Sequence, residues 1–221
     1  VTGANGGIGK YYVEALQAAG AARIYAGARN PSSLSELAAT DPQRIIPIQL
    51  DIIDEQSVSD AAAKCQDVNL LINIKSARAE IEVNYFGTLA MCRAFAPILK
   101  ANGGGAIVNM LTILAKVNLP SNGSYSASKA AALSMTQGIR AELAAQNTLV
   151  VAVMPGAVDA GMSKDFPPPK VAPKEVARAA LQAVIERVED VYPGEQATEM
   201  AAQLLQDPKA VEKWLATMLP M

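Results

Sequence analysis

Five short apolar runs, at residues 22–28, 45–50, 68–73, 106–111 and 149–154, alternate with longer amphipathic stretches, and this alternation constrains the fold more than any single residue. The runs lack the apolar–polar alternation of a strand with one wet face, so they read as strands buried on both faces, the condition of a parallel sheet. Helical patterns at 9–19, 55–65, 78–100, 124–145 and 174–188 separate them and supply the covering layers. The expectation is a single-domain α/β fold over residues 1–221, a doubly wound parallel sheet with helices on both faces. Ligands of such sheets bind beyond the carboxyl ends of the strands, where the glycine-rich turn, Asn73, Thr112 and Pro155 would all fall.

Composition supports one domain and narrows its chemistry. The chain has 221 residues, 51% of them hydrophobic, which is ample for one sizeable core. Its 19 basic and 21 acidic residues give a formal charge of −2 with no Lys/Arg cluster, which argues against nucleic acid and anionic membranes as partners and for a small molecule. Cys65 and Cys92 are widely spaced, so a disulfide framework is not expected and a reducing compartment is. Histidine is absent, which excludes a Ser-His-Asp or Cys-His mechanism and leaves a zinc site to other ligands. No apolar run reaches about 18 residues and no signal peptide precedes the first motif, so a cytoplasmic protein is expected.

Gly3, Gly7 and Gly9 stand in the run Thr2, Gly3, Ala4, Asn5, Gly6, Gly7, Ile8, Gly9, between a strand remnant and a helix start. Backbone amides at that start can face a pyrophosphate, and the missing side chains let phosphates approach. A bare strand-to-helix turn is the alternative; a P-loop fails, because its first glycine would be Ala4 and its Ser/Thr would be Tyr11. The acidic residue that would hold an adenosine ribose is expected roughly 20 residues on, at the end of the second strand. Arg29 stands there instead, and its planar fork suits a 2′-phosphate, with Ser32 or Ser33 as further donors; a solvated loop residue is the lesser reading of Arg29. This favours NADP(H) over NAD(H).

Tyr125 and Lys129, in the run Tyr125, Ser126, Ala127, Ser128, Lys129, share one helix face. One positive charge about 4.5 Å from a phenol, at an effective dielectric near 20, supplies on the order of 3.7 kcal/mol. That is enough to bring a tyrosine from about 10 to about 7–8, where it could serve as general acid or base. With the glycine turn at this separation and in this order, the chain resembles the short-chain dehydrogenase/reductase family. The resemblance covers nearly all of residues 1–195 and implies a Rossmann-type fold and an oxidoreductase.

The resemblance implies the remaining roles. Asn5, Ile8 and the three glycines would bind the dinucleotide, Asp51 would contact the adenine amino group, and Asn73, Pro155, Gly156 and Val158 would border the cofactor. Asp51 is equally readable as a helix cap, although Asp54 is better placed. Thr112 stands thirteen residues before Tyr125, where the family carries a substrate-polarising serine. It keeps a hydroxyl donor, but its methyl restricts χ1, so lower or narrower activity is expected. Asn84 matches the family asparagine whose backbone supports a proton relay to Lys129; a helix bend is its other reading. Ala160 replaces a family threonine, at a cost of about 1 kcal/mol in cofactor binding.

Residues 159–169 are expected as a short substrate lid, and Leu114, Val117, Leu119, Met154, Met162 and Phe166 as apolar wall candidates for an uncharged, partly hydrophobic ketone or aldehyde. The segment 195–221 should be helical, its stretch 210–219 carrying Val211, Trp214, Leu215 and Met218 on one face against its own core or a neighbour. Family members commonly form dimers or tetramers, so a homo-oligomer is implied. Two stretches are shorter than the family pattern, before Thr2 and after Asn73, and residues are expected to be missing at both. An NADP(H)-dependent carbonyl reductase or alcohol dehydrogenase is the leading expectation. A dinucleotide-binding sensor or scaffold with little turnover, motivated by Thr112, Ala160 and the short stretch after Asn73, and an assembly subunit are its rivals.

Overall fold

A computed structural model describes residues 1–73, 80–160, 163 and 169–218, and within these the side chains of Asn73 and Ser121 are not described. Strands β1 (Ile24–Ala28) and β2 (Ile45–Gln49) form one parallel ladder with Ile24 beside Ile45. Strands β3 (Leu70–Asn73), β4 (Gly105–Met110), β5 (Thr148–Val153) and β6 (Asp190–Val191) form a second, also parallel, in that order. The short run Val1–Ala4 joins them. Val1 N donates to Tyr25 O at 2.8 Å and Gly27 N to Val1 O at 2.8 Å, while Thr2 N donates to Ile72 O at 2.9 Å on the other side. The sheet therefore runs β2, β1, the Val1–Ala4 run, β3, β4, β5, β6, and its order reverses beside the glycine turn.

Each strand sends alternate side chains to opposite layers. In β4, Ile107 packs beneath α3 (Glu55–Lys64), α4 (Thr88–Ala101) and α5 (Gly123–Leu143), among Met91, Phe95 and Leu99. Its neighbours Ala106, Val108 and Met110 face α1 (Gly7–Ala18) and α6 (Pro173–Glu186), among Tyr12, Val176 and Ala180. Both faces are dry, which is why the runs carry no polar alternation. The five expected strands form within two residues of their expected ends, and the doubly wound architecture is the one the periodicity implies. A smaller cavity of about 200 Å³ lies between β1 and β3 and is lined in part by Val1, Tyr25 and Leu70.

The helix expected at 78–100 differs in detail. Residues 78–79 lie outside the described residues, and the chain makes a widened, π-type turn at Glu82–Gly87 before α4 begins at Thr88. Thr88 Oγ1 donates to Asn84 O at 3.0 Å, taking up a carbonyl in that turn, and Asn84 is buried there. Such turns recur at functional sites, because they shift one side chain relative to a regular helix. Three elements were not legible as separate units: α2 (Ser35–Ala39), the two-residue β6, and the division of the tail into α7 (Glu195–Gln206) and α8 (Pro208–Ala216). Asp207 makes that last division, its carboxylate accepting from Ala210 N at 3.0 Å as the cap of α8. Among the described residues no helix is long and apolar enough to cross a membrane.

The edge strand β6 depends on Arg140 of α5. Its guanidinium donates to Val150 O at 3.0 Å, Glu189 O at 3.0 Å and Asp190 Oδ1 at 2.7 Å, with the side chain only 18% exposed. Arg140→Ala should lower unfolding free energy by about 2 kcal/mol, since charge-assisted bonds to a largely buried guanidinium are lost together. Urea denaturation of the two proteins checks this, and an unchanged midpoint contradicts it.

Candidate functional site

The carboxyl ends of the strands open into one cleft of about 830 Å³. At one end lie Gly3, Asn5, Gly6, Gly7 and Ile8, with Arg29 after β1 and Asp51 after β2. At the other lie Thr112 after β4, Tyr125 and Lys129 on α5, and Pro155, Gly156 and Val158 after β5. Asn84 also reaches the wall. Residues spread over 156 positions of sequence, from Gly3 to Val158, thus border one space because each follows a strand of the same parallel sheet or sits on a helix packed against it.

The glycine turn has the conformation an anion cradle needs. Gly3 and Gly7 have φ of 60° and 54°, values a side chain disfavours. Gly6 caps α1 with no side-chain hydrogen bond, so the first amides of this helix are not taken up by a capping side chain. Gly9 is buried and does not line the cleft; a Cβ there would stand 2.1 Å from Gly3 O, so this glycine lets the turn fold back onto its own helix. At the end of β1, Arg29 is exposed, with no ion pair among the described residues. Nearby, Ser32 Oγ donates to Asn30 Oδ1 at 2.8 Å and Ser33 Oγ to Asn30 O at 2.6 Å. Asp51 accepts from Ile53 N at 3.2 Å, while Asp54 caps α3 by accepting from Gln56 N and Ser57 N. A dinucleotide fits this cradle: uncapped amides and glycines at one end, a cation at its side, and space continuing to Tyr125.

The chemistry at the far end is set by desolvation. Lys129 is 5% exposed, and burial pulls its ammonium down to about 8. Its Nζ donates to Met110 O at 3.0 Å and stands 5.7 Å from the centre of the Tyr125 ring. The phenol of Tyr125 was expected to be acidified by this lysine; instead burial, with the negative charge of Glu80 second, pushes it up to about 12. The phenolate loses water on burial, and that loss, with the charge of Glu80, raises the phenol, while the Lys129 ammonium is directed at the Met110 carbonyl. Thr112 is buried, donates from Oγ1 to Pro155 O at 3.2 Å and accepts from Leu114 N at 3.3 Å. Asn84 Nδ2 donates to Ser128 Oγ at 2.9 Å, and Ser128 Oγ donates to Tyr125 O at 2.8 Å, linking the π-type turn to the Tyr125 helix.

The short chain dehydrogenase family profile matches residues 1–171. The chain belongs to the short-chain dehydrogenase/reductase family. The short chain dehydrogenase mpl6 of Monascus purpureus is 36% identical over 194 residues, which cover 76% of this chain and 66% of that protein, so the chain spans just under two thirds of that relative's length. A crystal structure of a short chain dehydrogenase from Burkholderia cenocepacia in complex with NADP is 44% identical, with a TM-score of 0.92 over 99% of this chain and 96% of that one. A short-chain dehydrogenase from Streptomyces avermitilis, 24% identical with a TM-score of 0.84 over 98% and 94%, shares the fold.

Several residues that border the cleft carry no local sequence signal. Gln196 of α7 accepts from Ala157 N at 3.0 Å and lies against Gly156, where a Cβ would meet its Oε1 at 2.4 Å. Met200, Trp214, Leu215 and Met218 line the cleft from the tail, which was expected only to cover a core or a neighbour. Among the wall candidates, Leu114 and Leu119 line the cleft, whereas Val117 and Met154 are buried in the core because they face the C-terminal helices and the α5 layer. Met162, Phe166 and most of the expected 159–169 lid lie outside the described residues. The ends of that segment are tied by a Lys170–Asp159 ion pair at 2.7 Å and by Asp159 N donating to Val171 O at 2.9 Å. The backbone of Asn73 ends β3 beside Asn109 of β4.

A lysine whose folded pKa lies below its unfolded value costs stability while both states are charged. That cost is full below about pH 8 and fades as pH rises toward 10.5, the ordinary value of a lysine. Lys129→Met should therefore be more stable than the parent at pH 7, by about 1–3 kcal/mol, with the advantage shrinking toward pH 10. Urea unfolding at both pH values measures it, and a variant less stable at pH 7 contradicts it. Gly9→Ala should lose about 2–4 kcal/mol through the clash with Gly3 O, read from the same transitions.

Proposed function

We propose that this short-chain dehydrogenase is an NADP(H)-dependent carbonyl reductase or alcohol dehydrogenase, with Tyr125 as its proton-transferring residue. The observation that carries the reading is the meeting of Tyr125, Lys129 and Thr112 at one end of the cleft whose other end holds the glycine turn and Arg29. A nicotinamide dinucleotide held by the glycine turn and Arg29 would supply the hydride for reduction of a carbonyl. Tyr125 gives its phenolic proton to the carbonyl oxygen, so hydride and proton together make the alcohol. Thr112 offers a hydroxyl to the same oxygen, and Lys129 stabilises the phenolate left behind. Asn84 holds the π-type turn against Ser128 and so fixes the height of the Tyr125 helix. Gly3, Asn5, Gly7, Ile8 and Gly9 form the pyrophosphate cradle, and Asp51, Asn73, Pro155, Gly156 and Val158 border the rest of the cofactor.

Support for NADP(H) over NAD(H) is the exposed Arg29 on the cleft wall, with no carboxylate at the end of β1, together with the NADP bound by the 44% identical Burkholderia protein. A phenol raised to about 12 stays protonated at neutral pH, which suits it to donate in reduction. Alcohol oxidation needs the phenolate and should climb with pH across the measurable range. A homo-oligomer is part of the proposal, supported by the exposed Ile81 and Phe86 at the entrance to α4, 45% and 51% accessible.

One observation favours a binding protein without turnover: the Thr112 proton is already donated to Pro155 O. The two readings part on Tyr125→Phe. For an enzyme, NADPH oxidation with a panel of ketones and aldehydes should fall about 10³-fold while NADPH binding persists; a binding protein shows no ketone-dependent oxidation before or after the change. Arg29→Ala should raise the KM for NADPH about ten-fold, roughly 1.4 kcal/mol, and change that for NADH by less than about two-fold. Equal effects on both cofactors would remove the case for the 2′-phosphate.

A further inference from the structure

The cleft is roofed at its catalytic end by the C-terminal helices. Met200 of α7 and Leu215 of α8 are 5% and 2% exposed and pack with Val211 against Ile113, the residue after Thr112. This docking brings Trp214 of α8 to the cleft, and Met218, two residues beyond the end of α8, lines it as well. Both remain largely open, at 46% and 47% exposure, although they are among the largest apolar side chains of the tail. Leu114 and Leu119 line the same cleft, Leu119 packing against the cluster that holds Val211 and Leu215. The charged side chains that line the cleft, among the described residues, are Arg29 and Asp51 beyond the ends of β1 and β2 and the buried Lys129.

We infer that α8 is the specificity element of this enzyme, with Trp214 as a platform for the flat apolar group of an uncharged aryl ketone or aryl-substituted secondary alcohol. The inference rests on the proposed hydride transfer for the position of the carbonyl, which must lie within reach of Tyr125 and Thr112. A half-exposed indole beside that position offers a rigid apolar face, and covering it with a ligand ring removes from water both that face and the ring. An anionic or polyhydroxylated ligand gains little from the same wall, since Met218, Leu114 and Leu119 return no hydrogen bond to a carboxylate or a row of hydroxyls and Trp214 offers only its single indole N–H. Small aliphatic ketones reach the hydroxyls of Thr112 and Tyr125 but leave the indole uncovered. Discrimination by size and flatness follows from these contacts.

Trp214 is the single tryptophan of the chain, so its emission reports directly on this wall. The experiment titrates the NADPH complex of the Tyr125→Phe variant with acetophenone and, separately, with butanone, following tryptophan fluorescence. Acetophenone should change the emission saturably, and butanone should change it little. In the parent enzyme, kcat/KM for acetophenone relative to butanone should fall about ten-fold on Trp214→Ala and be largely restored in Trp214→Phe, with thermal melts confirming that both variants fold. Met218→Ala provides a second reading in the same cleft and should lower the ratio in the same direction. An unchanged ratio in Trp214→Ala and Met218→Ala, or saturable acetophenone binding that leaves Trp214 emission untouched, overturns the inference. A protein that turns over neither ketone yet shows saturable acetophenone quenching loses the proposed reaction but keeps the aryl platform; absence of both quenching and discrimination overturns the platform.

Discussion

Val1 N donates to Tyr25 O and Thr2 N to Ile72 O, and these bonds lie on opposite sides of a short extended run that joins two otherwise separate parallel ladders. Because the ladders are parallel, joining them edge to edge brings the carboxyl ends of all their strands to one rim. Residues far apart in sequence become neighbours there without any contact having been specified between them directly. The rim is placed to within one residue: Leu70 lies beside Ala106 and Gly105 beside Thr148, so Asn73, Met110 and Val153 end at nearly the same level. A slip of one position would send Ile107 and Val108 to each other's layers, and the two apolar cores on opposite faces resist it.

At the end of that rim where Tyr125 and Lys129 lie, burial sets the protonation states. Lys129 is held almost free of water and donates to the Met110 carbonyl, and both it and Tyr125 are displaced toward their neutral forms. A lysine in this position weakens the fold relative to an apolar residue of the same length, and a folded protein retains such a group only where something else is gained. Under the proposed reaction the gain is a charge that interacts strongly in a dry site, since the low polarity that penalises the ammonium also strengthens its attraction to a phenolate. The same environment accounts for both the cost and the function, which makes the pair a coherent unit whose two members have to be tested together.

Much of this was legible in the chain because the signals were local or periodic. Apolar runs without alternation located β1 to β5, since the central strands β4 and β5 are dry on both faces, although β2 at the sheet edge leaves Pro47 and Gln49 exposed, and the glycine spacing located a turn whose φ values at Gly3 and Gly7 require it. Tyr125 and Lys129 could be paired because a helix face is a local property. What was not legible depends on tertiary position. The two-residue β6 carries no pattern of its own and exists through Arg140, forty-nine positions away from Glu189. Gln196 reaches Ala157 and Trp214 reaches the cleft because α7 and α8 dock on Ile113, and no spacing within the tail announces that docking. The electrostatic expectation failed for a related reason: a pairwise charge estimate contains no desolvation, and at Tyr125 desolvation is the larger effect.

Thr112 shows how a departure from the family pattern can be reconciled with the proposed chemistry. Its methyl restricts χ1, and its one hydroxyl proton is directed at Pro155 O, so the side chain looks doubly unsuited to polarise a substrate. Yet Pro155 O also accepts from Ile113 N at 2.9 Å, and a carbonyl that keeps one strong donor is not left unsatisfied when the second turns away. Leu114 N meanwhile donates to Thr112 Oγ1 and holds the oxygen where it is. Presenting the proton to a ligand then requires only rotation about the Cβ–Oγ1 bond, with χ1 unchanged. The restriction that a branched side chain imposes works in favour of this arrangement, because it fixes the oxygen while leaving its proton free to choose between a backbone carbonyl and a bound one.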